Sequence, residues 1–99
     1  MKIDFGNGVT HEIKNIRWLE GMNVESLMTL AARVSPGFQF EMSGSGEMTM
    51  LTSLDGVANG EGNGRYWLYS VNDKPGEVSF AVQPLAAGDR VLWKFSGPE

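Results

Sequence analysis

Apolar and polar residues alternate along most of this chain, which is the pattern of β-strands with one buried face. The densest such segment is 65–72, RYWLYSVN, in which aromatic and β-branched residues predominate. Residues 90–95 repeat the alternation, with Val91, Trp93 and Phe95 on one face. The pattern predicts strands over residues 2–5, 9–18, 38–42, 47–54, 65–72, 77–82 and 90–95.

One segment has helical spacing instead. Its apolar positions are Val24, Leu27, Met28, Ala31 and Val34. Asn23 stands where a helix is capped, and Pro36-Gly37 stands where one ends. The spacing predicts a helix over 23–34 that packs on a sheet through Val24, Leu27, Met28 and Ala31.

Glycine-rich turns divide these elements. Gly6-Asn7-Gly8 is typical of a hairpin, and residues 55–64 are so rich in glycine that they predict a loop. A chain of 99 residues supports one core, so residues 1–99 are expected to form one domain. The order hairpin, helix, strands predicts an α+β fold, a β-grasp-like roll in which one helix packs on one mixed sheet. The other face of that sheet has no predicted cover.

Composition excludes several functions. The net charge is −4 and the eight Lys and Arg residues are scattered, so no phosphate-tracking nucleic-acid surface is expected. No stretch approaches the roughly 20 apolar residues of a membrane span, so no membrane insertion is expected. With no cysteine and one histidine, the chain offers neither metal-ligand spacing nor a nucleophile–base set. We therefore expect no enzyme, no cofactor and no metal site.

Two sets of polar residues have alternative interpretations. His11 lies in a predicted strand and has either a structural or surface role or a ligand contact. Acidic residues in loops either bond nearby backbone amides in turns or together bind a cation. These acidic residues are Asp55, Glu61, Asp73 and Asp89.

The aromatic strand over 65–72 carries large side chains on both faces. Tyr66 and Leu68 point one way, and Trp67, Tyr69 and Val71 point the other. Either both faces are covered, or one face packs in the core and the other contacts a ligand through rings that combine apolar area with a polar group. The candidate ligand-binding residues are Tyr66, Trp67, Tyr69 and Phe80, with the 56–64 loop at the rim.

Four segments together resemble a known family. They are Asp55-Gly56-Val57, GRYWLYSVND at 64–73, LAAGDRVLWKF at 85–95 and the helical NVESLMTLAARV at 23–34. Their order resembles the transcobalamin C-terminal-like domain, a bacterial domain-of-unknown-function family related to the β-domain of transcobalamin and intrinsic factor. The resemblance implies a β-grasp domain that binds a ligand. In the vitamin carriers this domain closes over cobalamin opposite a larger helical domain, so a half-site is implied here.

The resemblance also implies an exported or surface-attached protein, although Met1 is followed by a strand-like segment and not by a signal peptide. We expect a non-enzymatic ligand-binding domain, an accessory module for a cobalamin or other corrinoid-type ligand. The alternative is a protein-interaction or structural module of a cell-surface or exported assembly. The expected partner is thus a small corrinoid-like molecule or another protein.

Overall fold

A five-stranded mixed sheet and a three-stranded antiparallel sheet make up the β-structure of this chain. The computed structural model describes residues 1–14, 16–35, 37–60 and 64–96. The strands are β1 (Lys2–Asp4), β2 (Thr10–Glu12), β3 (Phe40–Ser43), β4 (Met50–Leu54), β5 (Val57–Ala58), β6 (Tyr66–Val71), β7 (Lys74–Pro75) and β8 (Val91–Ser96). Helix α1 spans Val24–Val34, and a 3₁₀ turn spans Gly46–Met48.

The larger sheet has the order β2-β1-β8-β6-β7. The strands that come first and last along the chain, β1 and β8, lie side by side and are parallel. The other strand pairs of this sheet are antiparallel. The parallel pairing requires a crossover between the two strands, and α1 lies on that long connection. This arrangement confirms the α+β fold and agrees with a β-grasp-like roll.

Helix α1 begins and ends where the sequence predicts. The Asn23 side chain accepts a hydrogen bond from the Ser26 amide at 2.8 Å, which satisfies one free donor of the first turn. Val24, Met28 and Ala31 are buried, as predicted. Leu27 is only half-buried and Val34 is half-exposed. Because 3.6 residues make one turn, these last two positions lie at the margin of the face centred on the other three.

The inner face of the large sheet forms the centre of the core. Val91, Trp93 and Phe95 are all buried on β8, which confirms their predicted alignment. Ile3 of β1 and Trp67 of β6 are buried beside them. On the outer face Leu68 is 60% exposed, so this face lacks a cover among the described residues, as predicted.

The prediction of a single sheet is wrong. Strands β3, β4 and β5 form a separate sheet, and β5 lies within the stretch predicted to be only loop. Asp55 and Gly56 have φ values of 49° and 82°, and Leu54 pairs with Val57 across them. This Asp-Gly turn makes a two-residue hairpin, and a short strand returns along β4.

Two predicted strands are also corrected. The strand predicted over 77–82 does not form, because its main-chain groups bind the start of α1: the Phe80 carbonyl accepts from Glu25, and the Ala81 carbonyl accepts from the Asn23 side chain. The strand predicted over 9–18 ends at Glu12.

Within that predicted strand Val9 and His11 are exposed and Ile13 is buried. Pro36 of the predicted helix end lies outside the described residues.

Candidate functional site

Strand β6 is paired along one side and largely unpaired along the other. It pairs with β8 over its full length, from Tyr66 to Val71. On the other side β7 pairs only with Ser70 and Val71. Among the described residues, no strand lies beside 66–68 there, and this part of β6 is an open edge.

Side-chain and loop groups bind part of this open edge. The Trp67 amide donates to Asn59 Oδ1 at 3.0 Å, and the Gly76 amide donates to the Tyr69 carbonyl at 2.9 Å. Asn59 Nδ2 also donates to the Leu51 carbonyl at 2.6 Å. One asparagine therefore links β6 to β4 of the smaller sheet and holds the two strands at a fixed separation.

A groove of about 400 Å³ runs along this edge. Residues of β6, of the start of β4 and of the segment that begins at the end of β7 line it, the last through Pro75, Gly76, Ser79 and Phe80. We call it the β6 groove. Among the described residues, its lining contains no Asp, Glu, Lys, Arg or His. A cavity lined in this way favours apolar and neutral polar ligand groups.

The structure brings together all four predicted site residues, because each of them lines the β6 groove. Tyr66 is 51% exposed at the rim, and Tyr69 is half-buried. Trp67 and Phe80 are buried. The predicted alternation of β6 is confirmed, with Tyr66 and Leu68 facing outward and Trp67 facing inward.

Trp67 is held mainly as a core residue. Its Nε1 donates to the Val57 carbonyl at 2.8 Å. Its ring packs edge-on against Phe5 at 5.7 Å and in a tilted arrangement against Phe95 at 5.0 Å between centroids. Of these two neighbouring candidate residues, Tyr66 is exposed and Trp67 is buried.

Tyr69 is fixed by the loop that follows β7. Its hydroxyl donates to the Val78 carbonyl, and Gly76 packs directly on its ring. Burial raises the pKa of the Tyr69 phenol above its ordinary value of about 10. The phenol therefore stays neutral at physiological pH, and it adds no charge to the groove.

Sequence reasoning missed several groove residues. Asn59 lies in a glycine-rich stretch, where its bridging role depends on two distant strands and leaves no local signal. Met50 and Leu68 are exposed apolar residues at the rim, and Trp93 lies among the lining residues. The strand pattern assigned Trp93 to the core alone. Residues 61–63 of the predicted 56–64 rim lie outside the described residues.

The other polar candidates lie apart from the groove lining. His11 Nδ1 is 3.8 Å from Asp55 Oδ2 at the surface. Asp89 accepts from the Ala86 amide and from the Asn72 side chain, bonds that lower its pKa and confirm a turn role. Asp55 accepts from the Gln39 amide. Glu61 falls outside the described residues.

Comparison with known families places this chain in one of them. Residues 21–97 match the domain of unknown function DUF4430, and the chain belongs to that family. No curated protein matches the chain.

No helix in the described part is long and apolar enough to cross a membrane. In the same part, no three His, Asp or Glu side chains are grouped so that they could hold a metal ion.

Proposed function

We propose that this domain is non-enzymatic and that its β6 groove receives one face of a flat, amphipathic ligand of corrinoid type. The observation that carries the proposal is Tyr66, whose half-exposed ring stands at the rim of an uncharged groove with aromatic walls. Such a ring stacks on a flat ligand, and the phenol keeps a polar contact with water.

The size of the groove supports binding of part of a ligand. A volume of about 400 Å³ lies within the range of about 300–1,000 Å³ of small-molecule pockets, but this groove is open along one side. It therefore buries one face of a macrocycle and leaves the other for a second domain or for solvent. We expect an affinity on the order of micromolar or weaker for the isolated domain.

The lining also supports a non-enzymatic role. General acid–base chemistry requires a titratable group near its substrate, and the described lining of the groove offers only tyrosines. The phenol of Tyr69 is held neutral and is already bonded to the Val78 carbonyl. Binding without chemistry is the use that these side chains support best.

The binding of cobinamide and cobalamin tests this proposal. We expect Tyr66→Ala to weaken cobinamide binding about 5- to 150-fold, which corresponds to about 1–3 kcal/mol for the loss of one aromatic contact. Equilibrium dialysis, with bound corrinoid measured by its own absorbance, gives the affinity without relying on protein fluorescence.

Leu19→Ala is the matched control, because Leu19 is exposed to a similar degree outside the groove. Tyr66→Phe should retain most of the affinity. If Tyr66→Ala and Leu19→Ala have the same small effect, Tyr66 is not part of the site.

A second candidate function is a protein-interaction module. The observation that favours it is the outer face of the large sheet, where Tyr66 and Leu68 are exposed beside an open strand edge. If neither cobinamide nor cobalamin binds the wild-type protein, the protein-interaction module becomes the favoured function.

A further inference from the structure

One buried hydrogen-bond donor beside the β6 groove has no acceptor. Trp93 is 2% exposed, and its Nε1 has no partner among the described residues. The other two indoles are both satisfied: Trp18 donates to the Leu85 carbonyl and Trp67 donates to the Val57 carbonyl. Buried donors are usually paired, because leaving one unpaired costs free energy.

The position of Trp93 connects this donor to the groove. Trp93 is one of the lining residues, and two other lining residues pack on its ring. Tyr69 lies 5.3 Å and Phe80 lies 5.5 Å from it, measured between ring centroids. The indole that carries this donor therefore packs against two other side chains of the groove lining.

The neighbouring polar groups are already paired. Ser79 Oγ donates to the Thr49 carbonyl, the Tyr69 hydroxyl donates to the Val78 carbonyl, and both side-chain polar atoms of Asn59 are bonded. Of the buried side-chain nitrogen and oxygen atoms in the described part, Trp93 Nε1 alone lacks a partner. One of the residues that line the groove thus carries a buried donor without a partner.

We infer that the base of the β6 groove is a subsite for a neutral carbonyl oxygen, that of a carboxamide, which accepts a hydrogen bond from Trp93 Nε1. This inference rests on the proposed ligand-binding function of the groove and names the chemical group that the groove selects. A carboxylate is disfavoured, because the lining offers no positive charge to balance a buried anion.

Entry of the oxygen requires a small displacement of the wall. Nε1 is buried, and Tyr69 and Phe80 are rings that pack on the indole. Phe80 is fully buried, whereas Tyr69 is half-buried, so the wall opens by moving the Tyr69 ring against the contacts that hold it. Its hydrogen bond to the Val78 carbonyl stretches or breaks as the subsite opens.

The indole N–H signals in a proton–nitrogen NMR spectrum test the inference. Acetamide and acetate are the probes, because they have nearly the same size and differ in charge; both are titrated at equal ionic strength. We expect acetamide to shift the Trp93 indole proton downfield in a saturable way and acetate to leave it in place. The Trp18 and Trp67 signals, whose protons are already bonded, are the internal controls.

Two observations assign the three indole signals. Trp18→Phe, at an exposed position, identifies the Trp18 signal by its loss. Magnetisation transfer to Phe80 protons identifies the Trp93 signal, because the two rings are in contact. The inference is overturned if acetamide leaves the Trp93 signal unmoved. It is also overturned if acetate moves that signal as far, or if all three indoles shift together.

Cobinamide, whose ring carries carboxamide side chains, separates this inference from the proposed function. If cobinamide shifts the groove amides and the Trp93 indole, both are supported. If it shifts the groove amides but leaves the Trp93 indole in place, the carboxamide subsite is overturned and the proposed function stands. If only acetamide acts, the subsite is supported and the corrinoid class is wrong.

Discussion

Met28→Ala is expected to lower the free energy of unfolding by about 2–5 kcal/mol, the range for a fully buried long side chain replaced by alanine. Met28 is completely buried at the centre of the α1 face. Removal of its side chain leaves a cavity between the helix and the inner face of the large sheet. Urea unfolding followed by circular dichroism measures the change.

Two variants on the same helix are matched controls. Leu27→Ala removes a half-buried side chain and should cost clearly less, about 1–2 kcal/mol. Val34→Ala removes a half-exposed side chain and should stay within about 0.5 kcal/mol of wild type. A larger loss for Leu27→Ala than for Met28→Ala would mean that the helix is rotated on the sheet relative to the structure.

Gly76→Ala is expected to cost about 1–3 kcal/mol, because a methyl group at this position has no room. An ideal Cβ on Gly76 would lie 2.1 Å from Cζ of the Tyr69 ring. Either the ring or the 75–80 loop must move, and each is part of the β6 groove. Thermal unfolding measures the stability, and cobinamide affinity should fall with it.

Gly76→Ala in a Tyr69→Ala background tests whether the loss of stability comes from the clash with the Tyr69 ring. Without the ring, Gly76→Ala should cost less than about 0.5 kcal/mol, so the two changes should show a coupling energy of similar size to the single effect. An unchanged cost in that background would place the strain in the backbone of the loop and not on Tyr69.

Local signals were sufficient for α1 and for the two long strands. The Asn23 cap, the spacing of Val24, Met28 and Ala31, and the alternation along β6 and β8 each depend on neighbours a few residues away. The division into two sheets was not predictable in this way. Strand pairing is a contact between distant segments, and the alternation in β3 and β4 is compatible with either sheet.

The strand predicted over 77–82, which does not form, shows a second limit of prediction from local sequence. Its sequence, EVSFAV, has strong strand preference, but its carbonyl groups satisfy the first turn of α1. A tertiary requirement overrode local propensity. The Asp55-Gly56 turn, in contrast, carried a hairpin signal within the sequence, and the prediction of an unbroken loop overlooked it.

The sequence was sufficient to predict that aromatic residues line the candidate site. It was not sufficient to predict which of them are exposed. Alternation separated Tyr66 from Trp67, but it did not show that the Trp67 indole is bonded to Val57 and packed in the core. The orphan donor of Trp93 is visible only when every possible acceptor around it has a position in space.

Backbone amide shifts on titration with cobinamide test most directly whether the β6 groove is the binding site. If the groove is the binding site, we expect the largest saturable shift changes on residues 49–51, 66–69 and 75–80 around the groove. Amides on the exposed surface of α1 should stay in place. Changes centred on the helix or spread evenly over the domain, or no saturable change at all, would contradict the assignment of the groove as the site.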